Sequence, residues 1–158
     1  MCRSTTVTIR SSALVIAAGV VVLDQFTKWL AVVGLDDGPI VLIEDFLVLR
    51  LVSNPGAAFG MLQGAGSFLA LAAIAAVVFI LLVMRKVDRV PEAVSLGLVL
   101  GGATGNLIDR VFRGDGLLGG EVVDFVDFDF FPAFNAADSA ITIGAILAVL
   151  LAFRPESK

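Results

Sequence analysis

The chain has no histidine, a single cysteine and few charges, with Asp, Glu, Lys and Arg making up 16% of its 158 residues. The missing histidine removes Ser-His-Asp and Cys-His catalysis and most zinc sites. Cys2, the lone cysteine, lies in a short polar N-terminus. It has no partner for an intramolecular disulfide and reads as an incidental thiol. The net charge of −4 argues against nucleic acid, which calls for a basic face. Any chemistry must rest on carboxylates, amides, hydroxyls, Lys and Arg, with no metal and no cofactor expected.

Apolar residues are abundant. They make up 58% of the chain, and the mean hydropathy is +0.99, whereas soluble domains are about half apolar and about a quarter charged. This is the composition of an integral membrane protein. A bilayer-crossing helix needs about 20 mostly apolar residues, and four segments fit, at approximately 12–33, 67–85, 92–111 and 136–153. Arg3 and Arg10 precede the first segment, as in a signal peptide, but its apolar stretch is too long. It is also interrupted by "LDQFTKWL" and has no small-residue cleavage site. It is therefore expected to be a retained span. No repeat or linker divides the chain, so residues 1–158 read as one domain.

Orientation follows from the excess of Lys and Arg on cytoplasmic loops. If four spans alternate, Arg3, Arg10, Arg85, Lys86, Arg89, Arg154 and Lys158 share one side, seven of the eleven basic residues. The expected fold is an all-α membrane protein with four transmembrane helices and both termini cytoplasmic. The two outer loops carry β-type runs, "EDFLVLRLV" at 44–52 and the alternating "VVDFVDFDFF" at 122–131. They predict a small extracytoplasmic β-sheet.

Alternating topology places Asp24, Lys28, Asn106, Asp109, Arg110, Asn135 and Asp138 at the outer edge of the bilayer. The inner halves of spans two, three and four carry no charge and one hydroxyl, Ser95. A transporter relaying protons would need polar groups through the full depth. Each polar residue has both a structural and a functional reading. Asp24 and Lys28 are spaced i,i+4 with the acid first, the favoured order for a helix ion pair. Gly97, Gly101 and Gly105 form a small-residue stripe suited to close helix packing, with Gly102 on an adjacent stripe. Asp109 and Arg110 are either solvated at the surface or functional. Asn135 and Asp138 form N-x-x-D before an apolar run, a capping box with Asp in place of Glu, and Asp138 is either that cap or a working acid. Asp124, Asp127 and Asp129 alternate with phenylalanines, and spacing alone does not choose among them. Two carboxylates meeting near the membrane surface would share a proton and could hydrolyse a peptide without histidine or metal. A scaffold protein is the other reading, under which Asp124→Asn would be silent.

Four blocks in order, "DQFTK" (24–28), "NPGAAFG" (54–60), "GGATGNLIDRV" (101–111), and "VVDF" (122–125) with "FNAADSAI" (134–141), resemble the lipoprotein signal peptidase (signal peptidase II) family. The resemblance covers nearly the whole chain. It implies an aspartyl endopeptidase of the bacterial inner (cytoplasmic) membrane, multi-pass, probing its substrate at the outer leaflet surface. The substrate would be a diacylglyceryl-prolipoprotein, cut just before the lipidated cysteine. Carried over by motif, the catalytic pair is Asp124 and Asp138. Asn54, Gly102, Asn106, Arg110 and Asn135 would bind substrate or support the dyad, and Asp24 with Lys28 would form a structural polar pair. The implied partners are prolipoproteins and membrane lipid, and a monomer is expected. The "NPGAAFG" loop is a candidate lid. One departure from the family pattern is the long, Gly-rich segment 112–121 beside the site, whose role in gating or substrate choice is left open.

Overall fold

The computed structural model describes residues 2–55, 66–114 and 118–154, with residues 2–8 and 66 described by their backbone alone. Among the described residues, four helices and four strands follow in the order α1 (Cys2–Gly34), β1 (Ile40–Ile43), β2 (Leu47–Asn54), α2 (Gly66–Met84), α3 (Val90–Phe112), β3 (Val122–Phe128), β4 (Phe131–Phe134) and α4 (Ala136–Ala152). The strands make one antiparallel sheet in sequence order, β1-β2-β3-β4. Both interhelical segments expected to carry strands contribute to it. Within the first, Glu44–Phe46 is the turn between β1 and β2 rather than strand. Asp45 takes a left-handed φ of 53° there, which Asp tolerates better than most residues.

The helices match the expected segments closely, except at the start. The first helix begins at Cys2, so the Ser- and Thr-containing leader continues the helix instead of forming a tail. Apolar composition reports what lipid would accept, whereas the backbone hydrogen-bond ladder runs on through polar residues. Among the described residues, two helices, Ile9–Gly34 and Ser67–Met84, are long and apolar enough to cross a membrane, and Ala136–Ala152 is a shorter apolar helix. Their outward sides are apolar, with Val15, Val22, Phe26, Trp29, Phe79 and Leu150 all exposed. An apolar exterior over an ordered helix bundle is what a lipid solvent favours.

Helix α3 packs against α1, α2 and α4, and its glycines explain how the helices approach so closely. A Cβ at Gly97 would lie 2.7 Å from Ala13 O, and one at Gly101 2.7 Å from Ala17 O. The expected stripe therefore receives α1, turn by turn. On the adjacent face, a Cβ at Gly102 would lie 2.4 Å from Ala137 O in the first turn of α4. Away from the sheet, Ile9, Ala13, Ile80, Met84, Ala93 and Leu100 form an apolar core. The buried Ser95 hydroxyl donates to Gly144 O at 2.9 Å and joins α3 to α4.

At the other end, the sheet is tied to the last turn of α3. Gly120 N donates to Arg110 O at 3.0 Å, and Val123 N to Asp109 Oδ2 at 3.3 Å. A Cβ at Gly120 would lie 2.5 Å from Asp109 O, so only glycine permits this approach. The described part of 112–121 thus folds back over the end of α3.

Candidate active site

Most of the candidate side chains are carried near the end of an element. Asp24 and Lys28 lie in the second half of α1. Asn106, Asp109 and Arg110 close α3, Asn54 ends β2, Asp124 sits in β3, and Asn135 and Asp138 open α4. All but Asn54, Asn106 and Asp138 are buried, and those three are partly so.

Asn135 and Asp138 form the capping box expected from N-x-x-D. Asn135 Oδ1 accepts from Asp138 N at 3.0 Å, and Asp138 Oδ2 accepts from Asn135 N at 3.3 Å. The Asn135 side chain also reaches outward, with Nδ2 donating to Asp124 Oδ1 at 2.7 Å. Asn135 therefore binds both carboxylates. Asp124 Oδ2 accepts from Asn54 Nδ2 at 2.9 Å. The ladder accounts for that contact, because Val52 pairs with Asp124 and Asn54, two residues on, shares its face of the sheet. Asp138 Oδ1 accepts from Asn106 Nδ2 at 2.8 Å.

Burial separates the three aspartates that spacing left equivalent. Asp124 is 1% exposed, whereas Asp127 forms an ion pair with the mostly exposed Arg50. Asp129 lies beyond β3, its backbone amide donating to Phe46 O at 3.3 Å. Burial pushes the Asp124 carboxyl up to about 6, the neighbouring charge of Asp138 adds to the rise, and the amides of Asn54 and Asn135 oppose it. A buried acid beside a second acid keeps its proton to a higher pH than a free carboxyl, which suits acid–base work.

Behind the pair lies a buried ionic cluster. Lys28 Nζ is 2.9 Å from Asp24 Oδ2 and 2.7 Å from Asp109 Oδ2, with all three side chains fully buried. Asp109 is therefore not solvated at the surface. It also accepts from Arg113 Nε at 2.9 Å and from Gln25 Nε2 at 3.1 Å. Gln25 is a member of the cluster to which no motif assigns a role; its place between Asp24 and Lys28 is the one signal for it in the sequence. Asp24 Oδ1 accepts from Ala137 N at 3.0 Å, so the pair also anchors the start of α4. Gly102 brings no side chain to the site; it lets α4 come close enough for Asp138 to reach this network.

A cavity of about 570 Å³ opens onto the network, lined by Asn54, Asn106, Arg110 and Asp138 on its polar side and by β4 and Ile141–Ile143 on its apolar side. Asp138 faces the cavity directly. Asp124 lies behind it and meets the cavity through Asn54. No cluster of His, Cys, Asp and Glu suited to a metal ion occurs among the described residues. The candidate lid, Gly56–Gly60 of "NPGAAFG", lies outside the described residues.

The pattern of the signal peptidase (SPase) II family matches residues 16–154. The chain belongs to the signal peptidase II family. Among curated members, it is 49% identical over 138 residues to the lipoprotein signal peptidase of Rhodococcus jostii, covering 87% of this chain and 70% of that protein. It is 43% identical over 142 residues to the lipoprotein signal peptidase of Streptomyces griseus, covering 89% and 72%. The fold is similar to that of a bacterial membrane enzyme solved by the in meso method at 2.3 Å resolution, with a TM-score of 0.80, 32% identity and 94% of each chain covered. Every motif that carried the resemblance to signal peptidase II lies within the matched span.

Proposed function

We propose that this chain removes signal peptides from diacylglyceryl-modified prolipoproteins by aspartyl hydrolysis, with Asp124 and Asp138 as the catalytic pair. Membership of the signal peptidase II family supports the activity. The observation that carries the residue assignment is the joint hold of Asn135 on both acids, with Asp138 at the wall of a cavity that has an apolar flank and Asp124 behind it.

The chemistry needs one proton shared by two carboxyl groups. The ionised member takes a proton from water, and the resulting hydroxide attacks the scissile carbonyl carbon. The protonated member donates to the carbonyl oxygen, giving a neutral tetrahedral diol. Collapse of the diol breaks the C–N bond as a proton passes to the leaving amine, and the pair returns to its single-proton state. Asn54, Asn106 and Asn135 hold the carboxylate oxygens in place during these transfers, and Arg110 at the cavity wall is placed to bind the substrate backbone or a lipid-proximal group.

Four membrane-crossing helices, with both termini cytoplasmic and the sheet outside, fit this role. The polar residues of α1, α3 and α4 gather at one end of the bundle, and the apolar core fills the other. A signal peptide emerging at the outer leaflet of the inner membrane would present its cleavage site at that polar end while the lipid chains stay in lipid. The chain acts as a single 1–158 peptidase unit and as a monomer. The purified chain should convert a diacylglyceryl-modified prolipoprotein to a product whose first residue is the lipidated cysteine, as read by mass spectrometry. Cleavage at another bond, or equal cleavage of unmodified precursor, would contradict the assignment.

A further inference from the structure

Lys28 has no exposed surface, and each of its three ammonium hydrogens has an acceptor. Two face Asp24 Oδ2 at 2.9 Å and Asp109 Oδ2 at 2.7 Å. The third faces Asn106 Oδ1 at 2.9 Å. An ammonium offers three donors, so Lys28 has none left for Asp124 or Asp138. The two aspartates already neutralise its charge. The contact with Asn106 is different in kind, because it leads into the site.

We propose that Lys28 is a positioning residue for hydrolysis, acting through Asn106 by fixing which end of that amide faces Asp138. This rests on the reading of Asp124 and Asp138 as the catalytic pair. The two ends of a carboxamide are nearly equal in size and opposite in hydrogen-bonding sense, so the surrounding network decides their orientation. Lys28 carries no acceptor and admits only the oxygen of Asn106. Asn135 Nδ2, at 3.1 Å from the same oxygen, makes the same demand. With Oδ1 held on that side, Nδ2 is presented to Asp138 Oδ1 at 2.8 Å. Reversing the amide would set an NH₂ group against both the ammonium and the Asn135 NH₂, and an oxygen against the carboxylate. Three bonds would be lost and three like-with-like contacts made in a buried site. The relay therefore runs from α1, through α3, to the acid on α4.

The same cluster has an architectural task, since Asp24 also accepts from Ala137 N, and the experiment must separate the two. Lys28→Met combined with Asp24→Asn removes the pair as a neutral unit, leaves Asp109 its partner Arg113, and keeps an oxygen for Ala137 N. The measurement is steady-state cleavage of a diacylglyceryl-modified prolipoprotein by the full chain in detergent. The expected result is a fall in kcat of about ten- to a hundredfold, the scale on which slight misplacement of a reacting group acts. KM should stay within about twofold, because substrate binding is not touched. Adding Asn106→Leu to this variant should slow it no further than Asn106→Leu alone.

Wild-type kcat in the neutral variant, or losses that multiply when Asn106→Leu is added, would overturn the proposal. Should that variant not fold, Lys28→Arg gives the same reading. It keeps the charge, but its planar fork does not point donors at three acceptors as an ammonium does, so kcat should fall while the chain stays folded at the assay temperature; wild-type kcat would overturn the proposal. Asp124→Asn and Asp138→Asn are assayed in parallel. Activity in those variants sinks the catalytic pair itself, whereas inactive aspartate variants beside a fully active Lys28 variant sink only the role of Lys28.

Discussion

Asn135 Nδ2 donates to Asp124 Oδ1 across 2.7 Å, joining the N-cap of one helix to a strand that runs over the end of the bundle. The capping residue of α4 is therefore also the fastener between the two acids. Capping and positioning, which look like rival explanations of the N-x-x-D motif, are carried out by one side chain.

The two tasks separate by substitution. Asn135→Ser keeps a good helix cap but is too short to reach Asp124; Asn135→Ala loses both. Thermal unfolding in detergent should place Ala about 1 kcal/mol below Ser, the usual cost of a lost cap. Prolipoprotein cleavage should be poor in both. Wild-type activity in Asn135→Ser would mean that the bond to Asp124 has no role in turnover.

Gly102 faces a backbone atom, and backbone cannot give way as a flexible side chain would. Gly102→Ala, with its Cβ 2.4 Å from Ala137 O, should force α3 and α4 apart and cost about 1–3 kcal/mol. Activity should fall as well, because Asp138 moves with α4. Gly19→Ala is the control, since a Cβ there meets nothing within 4 Å. It should leave cleavage intact and stability equal or slightly higher. Equal behaviour of the two variants would contradict the close approach.

Asp124 makes the fold pH-sensitive in a definite direction. Burial raises its carboxyl from 3.8 to about 6. Between those values the folded chain holds more protons than the unfolded chain, so the Asp124 contribution favours folding at low pH and is lost as pH rises to about 6. The loss is on the order of 3 kcal/mol. Unfolding titrations in detergent from pH 4 to 7 should show wild type losing stability relative to Asp124→Asn. Parallel curves would mean that Asp124 is not perturbed.

Asp127 is partly buried but pairs with an Arg50 that is mostly exposed, and an ion pair open to solvent contributes about 1 kcal/mol or less. Asp127→Asn should retain most activity in the same cleavage assay. An inactive Asp127→Asn beside an active Asp124→Asn would reverse the choice between them.

Much of this was legible in the sequence, and the gaps have physical causes. Long apolar runs and the glycine spacing of α3 reveal helices and the faces on which they meet, because lipid and close packing each impose a simple rule. The capping box is local, so four residues suffice to state it. β1 and β4 are only four residues each, too short for alternation to register, and β4 contains Pro132. The burial of Asp109 depends on Lys28, 81 positions away and brought near only by helix packing. For the same reason, spacing could not choose Asp124 over Asp127. That choice came first from the family resemblance, and in the structure it coincides with burial and the reach of Asn54 and Asn135.

The central claim is that Asp124 and Asp138 act together as the catalytic pair. Its most direct measurement is cleavage of a diacylglyceryl-modified prolipoprotein, followed by gel shift, with purified Asp124→Asn and Asp138→Asn chains that insert and unfold like wild type. Both should be without detectable turnover. Near-normal turnover by either would contradict the account.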